Sequence, residues 1–197
     1  MAWIVKVGVK AYLTQSEMGN NATEFYGYFN SKGFTIESVA GMLGNLQQES
    51  NINPGMKQSA SASSGWGLIQ WTPSSNLTDY AISHGTDWAT GEIQTQLMWD
   101  EIINGYGKQW KPKPSLGYAY TGAEFSQLTD VTEACKAYLY ERERAGEAAL
   151  NKRLTYASNW YEYLTGVTPP TPPTPPTPPT PTKRKRMPLW MMTRPLF

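Results

Sequence analysis

The sequence predicts a mainly α domain of the α+β class, with a small β-hairpin element, followed by a disordered proline-rich tail. Three observations predict it. Between residues 19 and 164, apolar side chains recur at helical spacing in block after block. One Ser/Gly/Asn-rich stretch, 51–75, interrupts that pattern and reads as an irregular insertion with a hairpin near 55–73. From Thr168 a TPP repeat takes over, and such a repeat has nothing with which to build a core.

The elements follow in order. Trp3, Val5, Val7 and Val9 alternate along 1–13, which suggests a strand or extended arm. Lys6 interrupts its apolar run and no small-residue cleavage site follows, so it does not read as a secretory signal. Asn21 with Glu24 resembles a capping box ahead of Phe25, Tyr26 and Phe29, and Gly33 would end that helix. Thr35 can cap the next one, where Ile36, Val39, Ala40 and Leu43 share a face. Leu77, Tyr80, Ala81 and His84 line a short helix stopped by Gly85, and another spans roughly 92–103. A Lys/Pro/Gly-rich loop, 105–122, precedes the stripe of Val131, Ala134, Cys135, Tyr138 and Leu139. Leu150, Leu154, Ala157, Tyr161 and Leu164 make the last stripe. The expected organisation is a 1–18 strand or arm, a 19–166 domain, a 167–182 polyproline linker and a 183–197 basic, apolar terminal peptide.

Composition excludes several classes. No apolar run approaches the roughly 20 residues of a membrane span. One cysteine, Cys135, excludes an internal disulfide framework, and with one histidine, His84, it excludes the usual Cys/His zinc sites. The net charge of +1 averages two unlike parts. Residues 1–167 carry 12 basic and 16 acidic side chains, whereas 168–197 carry 5 basic and none acidic. The Lys183–Arg186 run lacks an aromatic platform and is not read as binding nucleic acid. It sits at the end of a 15-residue semi-rigid spacer of roughly 46 Å, which suits a tether better. With 8 Trp and 12 Tyr, aromatics exceed what a core of this size needs, so some rings are expected to face a ligand such as a sugar.

The chemistry concentrates in two blocks. The first runs GNLQQESNINPG from Gly44 to Gly55, and puts Glu49 at the C-terminal end of a helix. The negative end of the helix dipole disfavours ionising a carboxyl there, and burial by indoles such as Trp66 and Trp71 would act in the same direction. A glutamic acid held protonated can donate to a leaving glycosidic oxygen. The second block, GWGLIQWTP from Gly65 to Pro73, offers glycines for close backbone approach, the amide of Gln70, and indole faces for pyranose rings. Cys135 reads as core, and His84 as a helix-end residue.

Together these blocks resemble the phage tail lysozyme family, within the lysozyme and lytic-transglycosylase superfamily. The resemblance extends over about Leu13–Leu164, through QLMWDEI, AYLYERERAG and ASNWYEYL. It implies a helical lysozyme-like fold, with a cleft between a helical lobe and a small β element. It also implies a phage-particle enzyme that cuts peptidoglycan glycan strands and resides in the virion, at the tail tip or knob. Glu49 matches the family's catalytic glutamate. Ser50 and Gln70 match cleft positions, and Asn53, Trp66, Trp71 and Tyr138 join them as candidate substrate-binding residues. Thr72 stands where some relatives carry an acid, so the second carboxylate is not given directly. Asp79, Asp87, Asp100 and Glu141 are candidates, with Glu141 preferred because YLYERERAG resembles a family block. A lone exposed charge paired with Arg142 or Arg144 is the bland alternative for it. Tyr138 or Tyr140 could hydrogen-bond Glu49 in a transglycosylase-type site.

Three functional readings follow: a muramidase acting between N-acetylmuramic acid and N-acetylglucosamine, a lytic transglycosylase, or an inactive wall-binding tail component. None requires a metal or other cofactor. The expected partners are peptidoglycan and, through the terminal peptide, phage tail proteins.

Overall fold

The computed structural model describes residues 2–144 and 149–166. The expected disordered tail, with its linker and terminal peptide, lies outside the described residues. The domain is mainly helical, with a two-stranded sheet. Among the described residues no helix is long and apolar enough to cross a membrane.

Helix α1 is Gln15–Ser31, and its cap, Thr14, lies about two turns before the expected one at Asn21. Thr14 and Glu17 form its capping box: the Thr14 hydroxyl accepts from Glu17 N, and Glu17 accepts from Thr14 N at 2.7 Å. Asn21 is instead an interior residue of α1 and fully buried. Two box-like pairs thus lie within one helix, and the earlier one is the cap.

Helix α2 is Ile36–Ser50, capped by the Thr35 side chain as expected. It is the central element, packed against the two C-terminal helices. Two glycines set that packing. A Cβ on Gly41 would lie 2.6 Å from Cys135 N, and one on Gly44 would lie 2.5 Å from Arg153 O. Helix backbones approach this closely only where side chains are absent. Helices α3 (Ser75–Ser83) and α4 (Gly91–Ile103) follow, then α5 (Gly122–Ser126) and α6 (Val131–Tyr138). The chain then widens into a π-helical turn, Leu139–Glu143, and the last helix, α7, is Leu150–Thr165.

The small β element differs in wiring from the expected hairpin. Its two strands, β1 (Gly8–Val9) and β2 (Met56–Lys57), pair in parallel. Within 55–73 the antiparallel contacts are single bridges, Lys57 to Trp66 and Trp66 to Trp71.

Most of the N-terminal arm pairs not with a strand but with asparagine side chains. Asn21 exchanges two hydrogen bonds with the Ile4 backbone, both 2.8 Å. Asn53 accepts from Lys6 N at 3.2 Å, and donates to Lys6 O at 2.8 Å and Ala11 O at 2.6 Å. Asn51 accepts from Leu13 N at 2.6 Å. A carboxamide has the donor and acceptor of a peptide group, so each asparagine substitutes for a missing neighbouring strand. Trp3 closes the arm by packing over Gly91, where a Cβ would collide with its ring.

Candidate active site

A cleft of about 750 Å³ runs along the end of α2, within the usual size of small-ligand sites. Its walls come from separate parts of the chain: Glu49 from α2, Gln70 and Trp71 from the loop, Glu143 from the π turn, and Lys10 and Tyr12 from the arm.

Glu49 reaches the cleft because α2 stops just beyond it. Asn51 adopts a left-handed conformation, φ 58°, and its N–H returns to Gln47 O at 3.1 Å. Ile52 follows at φ 53°, an uncommon conformation for a β-branched residue. Two consecutive left-handed residues turn the chain sharply away and leave the last helical turn facing the cleft.

The sequence suggests indoles beside Glu49; the structure places a guanidinium there. Arg153 of α7 binds the Glu49 carboxylate through Nη2. Its Nη1 donates to Asn45 Oδ1 at 3.0 Å, so α7 is fastened to α2 one turn below. Arg153 is 4% exposed and the Glu49 side chain 22%. The carboxyl group is therefore held from beneath and open from above.

Glu143 is the second acid of the cleft, and sequence reasoning missed it. Its Oε1 is buried and finds no hydrogen-bond partner among the described residues. Burial pushes its carboxyl up to about 8, and the charge on Glu49 adds to that shift against the opposing pull of Arg142 and Arg153. The shift favours the protonated form of Glu143. The run Glu141-Arg142-Glu143-Arg144 looks like a solvated helical face. In an α-helix successive residues fan out by about 100°, but the wider π turn changes which of them face inward. Such single π turns occur often at functional sites.

Glu141 is not among the cleft-lining residues. Its side chain is buried, and Oε1 accepts from Tyr120 N at 2.8 Å. Burial pushes its carboxyl up to about 7, partly offset by that bond. Neither expected arginine partners it. Arg142 pairs with Glu101, Nη2 to Oε2 at 2.8 Å, and Arg144 donates to Gln109 Oε1 at 2.9 Å.

The remaining predicted residues divide. Gln70 and Trp71 line the cleft with Glu49. Trp71 is nearly buried and forms floor rather than an open stacking face. Ser50 is buried, its hydroxyl bound to Leu46 O at 3.1 Å, and Asn53 is the buried clamp of the arm. Neither lines the cleft, so the structure gives both a backbone-fixing role. Trp66 also lies outside the lining, tilted against Trp88 at 4.9 Å with Lys57 Nζ 3.8 Å from its ring. Tyr138 is fully buried, and its hydroxyl is unpartnered among the described residues, so it does not bond Glu49. Of the other acids considered, Asp100 accepts from the Tyr80 hydroxyl and Asp87 from Ala89 N at 2.7 Å; Asp79, Asp87 and Asp100 all lie outside the cleft lining. Cys135 is buried, its thiol pushed up to about 12 by desolvation, and His84 is bound to Tyr80 O at 2.8 Å.

The phage tail lysozyme family matches residues 20–164. The chain belongs to the phage tail lysozyme family. The matched span contains Glu49, Gln70, Trp71, Glu143 and Arg153, and it ends at the last residues of α7. A curated relative is morphogenesis protein 1 of Bacillus phage B103, 33% identical over 160 residues. The alignment covers 79% of this chain but 42% of the relative, so the chain spans less than half of that protein's length. In this member of the phage tail lysozyme family, the cleft lining brings together two acids, Glu49 and Glu143, with the buried Arg142 beside them and the buried Arg153 beneath Glu49.

Proposed function

We propose that this chain cleaves the β-1,4 glycan strand of peptidoglycan between N-acetylmuramic acid and N-acetylglucosamine, with Glu49 as general acid. The observation that carries the reading is that Glu49 and Glu143 line one cleft of a phage tail lysozyme family domain. Two carboxyl groups in one glycan-sized cleft are what acid–base cleavage of a glycoside uses. Glu143, the acid favoured to hold the proton at the start, passes it to Glu49, and Glu49 delivers it to the leaving glycosidic oxygen as the C1–O bond breaks. A water then adds its oxygen to C1, and the released proton returns to the carboxyl pair. Arg153 holds Glu49 in place throughout. The site of action is the host cell wall, with the protein carried on a phage particle; the terminal peptide at 183–197 is proposed to dock it to tail proteins.

Digestion of purified peptidoglycan, followed by mass spectrometry of the fragments, tests this. Reducing muramic ends are expected from the wild type. Glu49→Gln should lose about 10²- to 10⁴-fold in rate while keeping its circular dichroism. Anhydro-muramic ends would replace water by the substrate's own hydroxyl and make the protein a transglycosylase. No release by a folded wild type would leave a wall-binding component.

A further inference from the structure

The arm contributes more than packing. Lys10 and Tyr12 stand on the cleft wall, yet both precede residue 20, where the family match begins. Between them the chain makes a tight turn, with Tyr12 N donating to Lys10 O at 2.9 Å. Lys10 is held left-handed, at φ 55°. Both flanks of the turn are fixed: Ala11 O by the buried Asn53, and Leu13 N by Asn51. The backbone is therefore pinned inward at 11 and 13, while the side chains at 10 and 12 remain exposed.

Those two side chains have no structural employment. Tyr12 is 63% exposed, a large apolar surface left in water. Lys10 has no ion-pair partner among the described residues, whereas Lys6, four positions earlier, binds Glu17 at 2.6 Å. An aromatic face beside such an ammonium, on a rigid turn lining a glycan-sized cleft, fits a sugar that carries a carboxylate.

We infer that Lys10 and Tyr12 form a substrate subsite for an acidic sugar unit, Tyr12 packing on the pyranose ring and Lys10 pairing with a carboxylate borne by that unit. This inference rests on the glycan-cleaving reading for its substrate class. In peptidoglycan the carboxylate belongs to the stem peptide where one is attached, because its amide bond consumes the lactyl carboxyl, and to the lactyl group of muramic acid where the peptide is absent; both share the chemistry that Lys10 recognises. A tethered ammonium at an exposed site gives a modest, salt-screened gain, and a ring contact gives somewhat more.

The test is a binding titration of full-length Glu49→Gln, so that nothing is consumed. The probes are a peptide-bearing muropeptide tetrasaccharide, the same glycan stripped of peptide, and a neutral N-acetylglucosamine tetramer. Adding Lys10→Gln should weaken muropeptide binding roughly threefold, with the effect fading in high salt, and leave the neutral tetramer unaffected. Adding Tyr12→Ala should weaken all three roughly five- to tenfold. Lys10→Arg and Tyr12→Phe should restore affinity. A Lys10 effect on the peptide-bearing probe alone assigns a peptide carboxylate, one on the stripped glycan alone assigns the lactyl carboxylate of a bare muramic unit, and one on both means that the subsite accepts either. Unchanged affinity in folded Lys10→Gln and Tyr12→Ala variants would overturn the subsite. Binding is read without turnover, so that outcome is independent of whether the wild type cleaves glycan.

Discussion

Trp71 and Glu101 meet beneath the floor of the cleft, the indole N–H donating to the carboxylate Oε1 at 2.9 Å. The other carboxylate oxygen takes Arg142, through Nε at 2.9 Å and Nη2 at 2.8 Å. The loop, α4 and the π turn are thus joined through one buried carboxylate. Burial pushes its proton affinity up, and Arg142 and Trp71 act against that.

Removing one member should expose the cost of the others. Arg142→Met leaves Glu101 as an uncompensated buried charge and should destabilise the fold by about 3–5 kcal/mol. Trp71→Phe removes one donor and should cost about 1–3 kcal/mol. Adding Glu101→Gln to Arg142→Met should recover part of the loss. Urea unfolding of the four proteins checks all three statements; equal midpoints for Arg142→Met and wild type would remove the floor's claimed role.

Glu143 makes stability depend on pH in the sense opposite to a salt-bridged acid. Its carboxyl holds its proton to about 8 when folded, against 4.5 for an ordinary glutamate. Between those values the unfolded chain has released the proton and the native protein has not, so the native state binds more protons. Stability from this group is therefore full below about pH 4.5 and falls as pH rises toward 8. Glu141, raised to about 7, adds a slope of the same sign. Denaturation midpoints at a series of pH values should decline over this window, and Glu143→Gln should flatten the decline. A decline of unaltered steepness in that variant would mean that Glu143 is ionised in the native state.

Gly44 links packing to the site. A methyl group there would press on Arg153 O at 2.5 Å and on Ala157 N and Cβ at 2.7 Å. Gly44→Ala should cost about 1–3 kcal/mol by overpacking, despite alanine's better helix propensity. It should also displace α7 and with it Arg153, lowering cleavage rates more than Gly27→Ala, whose added Cβ meets nothing within 4 Å. Thermal melts and initial rates of both variants distinguish the outcomes.

Much of this is legible in the sequence where the physics is local. Thr35 capping α2, the stripe from Val131 and the stripe from Leu150 all follow from spacing of three and four residues. Glu49 at a helix end can be read in the same way, as can Gln70 and Trp71 in a glycine-bearing loop near it. What escapes depends on long-range partners. Asn21 and Asn53 look like a cap and a ligand-binding amide, and nothing local says that both instead mimic strand backbone for the arm. Glu143 sits in a run of alternating charge, and its inward turn depends on a π register that no periodicity announces. Arg153 lies on a helix whose stripe is plain, but its carboxylate partner lies 104 residues earlier.

That last separation governs the order in which the site comes into being. Synthesis delivers Glu49, the arm and the loop first, and Arg153 close to the end of the domain. Any chain interrupted before α7 has the acid without the guanidinium that anchors it, and lacks the helix that packs most extensively on α2. Prematurely terminated products therefore carry Glu49 without its anchor, and the candidate site is assembled only when the whole domain has been translated.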